Sequence, residues 1–304
     1  MKVDIFGKPV IEKTATVLVF HDERRFRKEW LYHGLLVVPH ESFEEVFKNL
    51  SDCRERSNYY KKLHFCEMTE EKYSKRILLA REWIKYFRSE FFNYGFLYFF
   101  GVFLRNINYD LFGDYDDKRS QKDYRIYNRF FEMALFSMLR FFFKDYDSVT
   151  VSHIFSHASE RPEEDPFPQH SIYKINQREV ENIRIQAETV TQISADYQKE
   201  KEHNNECHFI QFIDNVIGAI GQVLDCSSER ACFLELGGMM LPLVEAMTKD
   251  PYNIRSKHYK RYALSFFPKK FLQEDEIYSQ PRKNLFFHGR ELKLLTKNQM
   301  ELPF

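Results

Sequence analysis

Val17, Leu18, Val19 and Phe20 form an unbroken apolar run, rich in β-branching and bounded by polar sequence, the pattern of a central strand buried on both faces. The run ends in His21-Asp22-Glu23. A charged stretch from Arg24 to Glu29 leads into a second apolar run, Trp30 to Val38, closed by Pro39, and the pair predicts an antiparallel hairpin. Phe43, Val46, Phe47 and Leu50 fall at i, i+3, i+4 and i+7, one buried helical face. Tyr59 to Glu67 alternates as a third strand, with Leu63, Phe65 and Glu67 on one side and Lys62, His64 and Cys66 on the other. Thr69 reads as the N-cap of a long amphipathic helix, Glu70 to Phe92.

Farther along, Phe96 to Leu104 reads as a fourth, wholly apolar strand, 106–123 as a polar loop, Tyr124 to Lys144 as a Phe-rich helix and Val149 to Phe155 as a fifth strand. Prolines among acids between Glu160 and Gln169 block helix and ladder alike and predict an exposed loop. Thr189 to Ser194 suits an edge strand, and helices are expected over Phe209–Leu224 and Arg230–Met247. This alternation predicts an α/β fold, a mixed β-sheet flanked by helices. Residues 1–226 carry the sheet, with a helical insertion around 106–147. Residues 227–304 form a helical, then basic and aromatic, C-terminal extension packed on it.

Charge and composition narrow the picture. The 304 residues hold 45 Lys+Arg against 45 Asp+Glu, a net charge of zero, which excludes a uniformly basic glove for nucleic acid. Aromatic residues make up 17% of the chain and supply large buried areas from few side chains. Cys53, Cys66, Cys207, Cys226 and Cys232 form no CxxC pair, so a disulfide framework is not expected and a reducing cytoplasm is. The first residues lack an apolar signal core, and the greasiest stretch, Phe91 to Leu104, is interrupted and too short to cross a bilayer. A soluble cytoplasmic protein without membrane contact is therefore expected.

Three acids stand where a solvated charge is not expected. Asp22 and Glu23 come off the most apolar strand, so one or the other emerges at the sheet rim beside the core, and Glu67 ends the third strand in the same way. Asp214 shares a helical face with Ile210, Ile213, Ile217 and Leu224, so its carboxylate points inward. A charge there costs several kcal/mol unless paired or ligated to a cation. Gly218 and Gly221 bare the same helix surface and would let it lie close to a strand, bringing Asp214 to the sheet rim beside Asp22 and Glu67. Such oxygen ligands suit Mg²⁺ or Mn²⁺. The alternative for each is a solvated or salt-bridged acid.

Asp22-Glu23 after an apolar first strand, a hairpin, Leu63-His64-Phe65-Cys66-Glu67, and a late Gln211-Phe212-Ile213-Asp214 helix together resemble the domain-of-unknown-function-3800 family, whose members look like RNase H-like proteins. The likeness spans about residues 14 to 225. It implies an RNase H-like sheet and two-metal hydrolysis of phosphodiesters in DNA or RNA, with Asp22 bridging the ions, Glu67 and Asp214 completing their shells and Glu23 as a second or alternate ligand. The family's usual Gly turn after the first acids is replaced by Arg24-Arg25, and no fourth acid follows the fourth strand. His157, at the end of the fifth, would replace that acid or shuttle a proton.

Other chemistries lack their patterns. His21, His64 and His153 do not have zinc-motif spacing, no G-x-S-x-G elbow is present, and Gly237-Gly238 sits in an apolar helical run. Arg24, Arg25, Arg27 and Lys28 follow the acids and suit phosphate contacts, as do Lys257, Lys260 and Arg261 among rings in the tail. A charged turn and a packed tail explain the same residues. The competing function is a catalytically incomplete RNase H-like subunit that docks a partner or a second copy through the Phe-rich helices 70–92 and 124–144.

Overall fold

The computed structural model describes residues 12–26, 30–68, 74–114, 117–157, 169–177, 182–196, 200, 202–225, 228–249, 260–267, 286–287 and 290–291. Its centre is a seven-stranded mixed sheet of β1 (Thr14–Phe26), β2 (Trp30–Pro39), β3 (Phe96–Phe103), β4 (Ser148–His157), β5 (Ile183–Ile185), β6 (Thr191–Ile193) and β7 (Tyr262–Phe267). The order is β5-β4-β1-β2-β3-β7, with β6 also on β4. Only β2 runs against the others. The expected α/β mixed sheet is thus present, and β1 lies inside it as its apolar run requires.

Helices α1 (Phe43–Ser57), α2 (Lys75–Ser89), α5 (Asn204–Asp225) and α6 (Ala231–Lys249) bury their apolar residues on one face of the sheet. Helices α3 (Arg119–Phe143) and α4 (Gln169–Gln177) cover the other. Burial follows the strand alternation: Leu18 and Phe20 enter the α5 side, Val17 and Val19 the α3 side. By length and composition α5 is apolar enough to cross a bilayer, yet 94% of its most apolar window is buried, so it is the central helix of the core.

Several expectations need correction. Tyr59 to Glu67 is not a strand: it is a loop ending in a 3₁₀ turn at Phe65–Glu67. Its backbone donors find side chains instead of a ladder, Leu63 N–H donating to Gln211 Oε1 (2.8 Å) and Phe65 N–H to Asp214 Oδ2 (2.7 Å). Buried Arg54 adds hydrogen bonds to the Tyr59 and Lys61 carbonyls. Ser74 caps α2, accepting from Ile77 N–H, while Thr69 lies outside the described residues, as does most of the proline-rich loop. The helix foreseen as an insertion, α3, carries the chain over the sheet from β3 to β4. The C-terminal part contributes β7 to the same sheet, parallel to β3, and α6 packs on α5 and α2.

The phenylalanines of α2 and α3 point inward. Phe87, Phe130, Phe131, Phe142 and Phe143 are buried, and Phe136 and Phe141 are half-buried against the α3-side cluster. Among the described residues the exposed large apolar side chains are Tyr60, Leu78, Leu111 and Tyr173, on four separate segments. The helices that were to present a docking face therefore spend their rings on the core.

Candidate functional site

Asp22 and His157 arrive at one place because of a bulge. The pairing of β1 with β4 passes from Val17–Val151 to Leu18–His153, leaving Ser152 as an extra residue. Ahead of the bulge Val149 and Val151 face α3. Beyond it Ile154 faces α3 and Phe155 faces α5, so the odd positions of β4 have changed sides. The paired stretch ends at His21–Ser156, and there the next residue of each strand, Asp22 and His157, projects on the α5 side. Asp22 Oδ1 and His157 Nδ1 are 3.8 Å apart. The strands part at this point, β1 turning toward β2 and β4 leading to β5, a crevice of the kind in which open α/β sheets bind ligands.

Helix α5 delivers Asp214 to the same crevice. Gly34, paired with Asp22 across the hairpin, makes room for it: a Cβ there would overlap Ile217 and crowd Ile213. Gly218 instead seats the Phe65 ring, and Gly221 lies under the Arg24 guanidinium. The close approach foreseen from the two helix glycines is thus made by a strand glycine, while the helix glycines receive the loop and the arginine.

Asp22 is 4% exposed and Asp214 8%. One oxygen of each is held by a backbone donor, Asp22 Oδ1 by Glu23 N–H (2.9 Å) and Asp214 Oδ2 by Phe65 N–H (2.7 Å). His64 stands on the far side, its Nδ1 accepting from Cys66 N–H (3.3 Å) and lying 3.6 Å from Asp214 Oδ2, its ring 6.2 Å from that of His157.

The electrostatics agree with this geometry. Burial pushes the Asp22 carboxyl well above the usual aspartate range, and the charges of Asp214 and Glu23 push it further, against the Glu23 amide and Lys62. Burial also raises Asp214, opposed by His64, the Phe65 amide, Arg24 and Lys62. His157 is pushed down to about 4 by burial, then by His64 and Lys62, so it is a neutral imidazole at pH 7.

The other expected site residues separate. Glu67 lies on the exposed turn, its side chain 51% accessible and 3.4 Å from Lys62 Nζ, so it is not held at the rim with the two aspartates. The reason is local: with no strand at 59–67, alternation does not carry Glu67 inward. Glu23 points to the opposite face, where Tyr127 donates to its Oε2 (3.0 Å). Arg24 turns inward, donating to the Gly218 carbonyl (2.6 Å) and lying over the Phe65 ring at 5.2 Å, while Arg25 is exposed. Lys260 pairs with Asp145 (2.5 Å) and Arg261 covers the Phe96 ring at 4.5 Å, both at the opposite end of the sheet from Asp22. Arg27, Lys28 and Lys257 lie outside the described residues.

Ligands about 2.1 Å from one ion stand roughly 3–4 Å from each other, and the Asp22–His157 and Asp214–His64 spacings fall in that range. The donors nevertheless stand as two pairs: among the described residues no three His, Cys, Asp or Glu side chains already surround one point. Sequence reasoning missed His64 and Gly34, since neither spacing nor composition marks them; the break in alternation at Ser152 was the legible trace of the bulge. Comparison of the chain with models of known protein families, with curated proteins and with solved structures finds no match.

Proposed function

We propose that the chain is a divalent-metal-dependent phosphodiesterase acting on DNA or RNA, on an RNase H-like sheet of the domain-of-unknown-function-3800 kind, and working in the cytoplasm. The observation that carries the reading is the meeting of Asp22 and Asp214, remote in sequence, as a buried pair in which the charge of Asp214 raises the Asp22 carboxyl. A pair of this kind is stable as two charges only with a cation beside it. Asp22 and Asp214 would hold Mg²⁺ or Mn²⁺, which supplies activation of water and stabilisation of the leaving oxygen. Arg24 and Lys62, whose charges reach Asp214, draw the phosphate toward the crevice. The free cysteines Cys53, Cys66, Cys207 and Cys232 suit a reducing compartment.

The test is cleavage of single- and double-stranded DNA and RNA with Mg²⁺ or Mn²⁺. Wild type is expected to cut at least one of them, and Asp22→Asn and Asp214→Asn each to abolish the cut while circular dichroism keeps the wild-type spectrum. Undiminished cleavage in either variant overturns the assignment. Absence of cleavage and of metal binding in wild type leaves the interaction subunit, which would then need a surface other than the buried rings of α2 and α3.

A further inference from the structure

We propose that the loop between α1 and the Phe65–Glu67 turn binds single-stranded nucleic acid, with the Tyr60 ring stacking on an unpaired base and Lys61, Lys62 and Arg76 holding the flanking phosphates. The proposal names the substrate class of the phosphodiesterase reading above, and rests on that reading only for the cut that follows binding. Among the described residues the exposed large rings are Tyr60 and Tyr173, and Tyr173 lies on α4, over the other face of the sheet. Tyr60, 52% accessible, stands two residues before Lys62, whose charge reaches Asp22, Asp214 and His157 alike. Two residues of chain span at most about 7 Å, roughly two stacked base steps, so one short strand can lie on the ring and enter the crevice together.

The loop presents this ring from a fixed backbone. Buried Arg54 donates to the carbonyls of Tyr59 (3.3 Å) and Lys61 (3.1 Å), one on each side of Tyr60. The Tyr59 hydroxyl donates to the Lys62 carbonyl (3.0 Å), and Leu63 N–H is held by Gln211 (2.8 Å). A platform ordered in advance keeps more of its stacking energy as affinity. Arg76 donates to the Tyr59 hydroxyl (2.9 Å) and lies over that ring at 5.9 Å, which sets a further cation beside the two lysines. Lys62 stands 3.4 Å from Glu67, but an ion pair this accessible is worth little, so a phosphate can take the place of Glu67. The strandedness follows from the ring. A duplex turns its base faces on each other and leaves Tyr60 nothing to stack on, whereas every unpaired base offers a π-face whatever its sequence.

Fluorescence anisotropy of labelled single-stranded DNA, single-stranded RNA and duplex DNA with the full chain tests this, in chelator so that no cleavage intervenes. The variants are Tyr60→Ala, Tyr60→Phe and the double variant Lys61→Gln, Lys62→Gln, each shown to be folded by thermal melting. Wild type is expected to bind at least one of the single strands about tenfold more tightly than the duplex, and Tyr60→Ala to weaken that binding about tenfold. Tyr60→Phe, which keeps the ring, should stay within about twofold of wild type. The double lysine variant should flatten the log–log salt dependence by about 1.4, two phosphates at about 0.7 each. Single-strand affinity unchanged in Tyr60→Ala, a duplex bound as tightly as the single strands, or no binding of any oligonucleotide by wild type overturns the proposal. Single-strand binding that depends on Tyr60, without cleavage once Mg²⁺ or Mn²⁺ is added, upholds it and overturns the phosphodiesterase reading. Cleavage of single strands with the same KM in Tyr60→Ala as in wild type does the reverse.

Discussion

The two faces of the sheet at the ends of β1 and β4 are built from neighbouring residues and are opposites in kind. On the α3 side, His21 is fully buried and both ring nitrogens are engaged, Nδ1 with Ser156 Oγ (2.9 Å) and Nε2 with His33 Nδ1 (3.0 Å). Tyr127 and Phe131 set their rings edge-on to it, and Tyr127 holds Glu23. One residue along, on the α5 side, Asp22 stands 3.8 Å from His157 and Asp214 3.6 Å from His64. The first arrangement links His33, His21 and Ser156 in one hydrogen-bonded chain across the strand ends. The second buries two carboxylates, and burial, then the charges of Asp214 and Glu23, hold Asp22 well above the usual aspartate range.

The largest expected effect comes from lifting α5 off the sheet. Gly34→Val places side-chain carbon where Ile217 and Ile213 already sit, and should cost about 2–3 kcal/mol of stability in chemical denaturation. It should also separate Asp214 from Asp22 and abolish divalent-ion uptake, while the His21–Ser156 bond on the far face survives. A variant with wild-type stability and ion affinity would mean that the helix is not seated against Gly34.

Ser156→Ala breaks the opposite face alone. It removes the partner of His21 Nδ1 in a fully buried position and should destabilise by about 1–2 kcal/mol. Its effect on ion affinity should be the smaller one, because Ser156 touches neither aspartate. An ion affinity lost in full with stability unchanged would reverse the roles given to the two faces.

Asp22→Asn sharpens the contrast through pH. The Asp22 carboxyl is raised in the folded state, so the metal-free folded protein holds a proton that the unfolded chain releases. Its contribution to stability is present at low pH and is lost as pH rises from the ordinary aspartate range through the raised folded value. The thermal midpoint of Asp22→Asn minus that of wild type, in chelator, should therefore widen from pH 4 to pH 7. Relief on the order of 1 kcal/mol corresponds to roughly 1–2 °C for a chain of this length. A difference that is flat with pH would show that Asp22 carries no unmet charge.

The sequence by itself determined the elements whose pattern is long and periodic. The hairpin, β3, α3, α5 and α6 are legible because their apolar residues repeat at a period that admits one local answer. Asp214 was legible for the same reason, as a carboxylate on an otherwise apolar helical face. The short alternation at 59–67 misled, because a loop pinned by Arg54, Gln211 and Asp214 can carry the same pattern as a strand. Only the tertiary structure decided which of the candidate groups meet. The bulge at Ser152 turns His157 toward Asp22, Gly34 admits α5, and the pinned loop brings His64 in and leaves Glu67 in water. Such meetings depend on register and close approach between distant segments, and a linear pattern encodes the face of each element without encoding which neighbour it will find there.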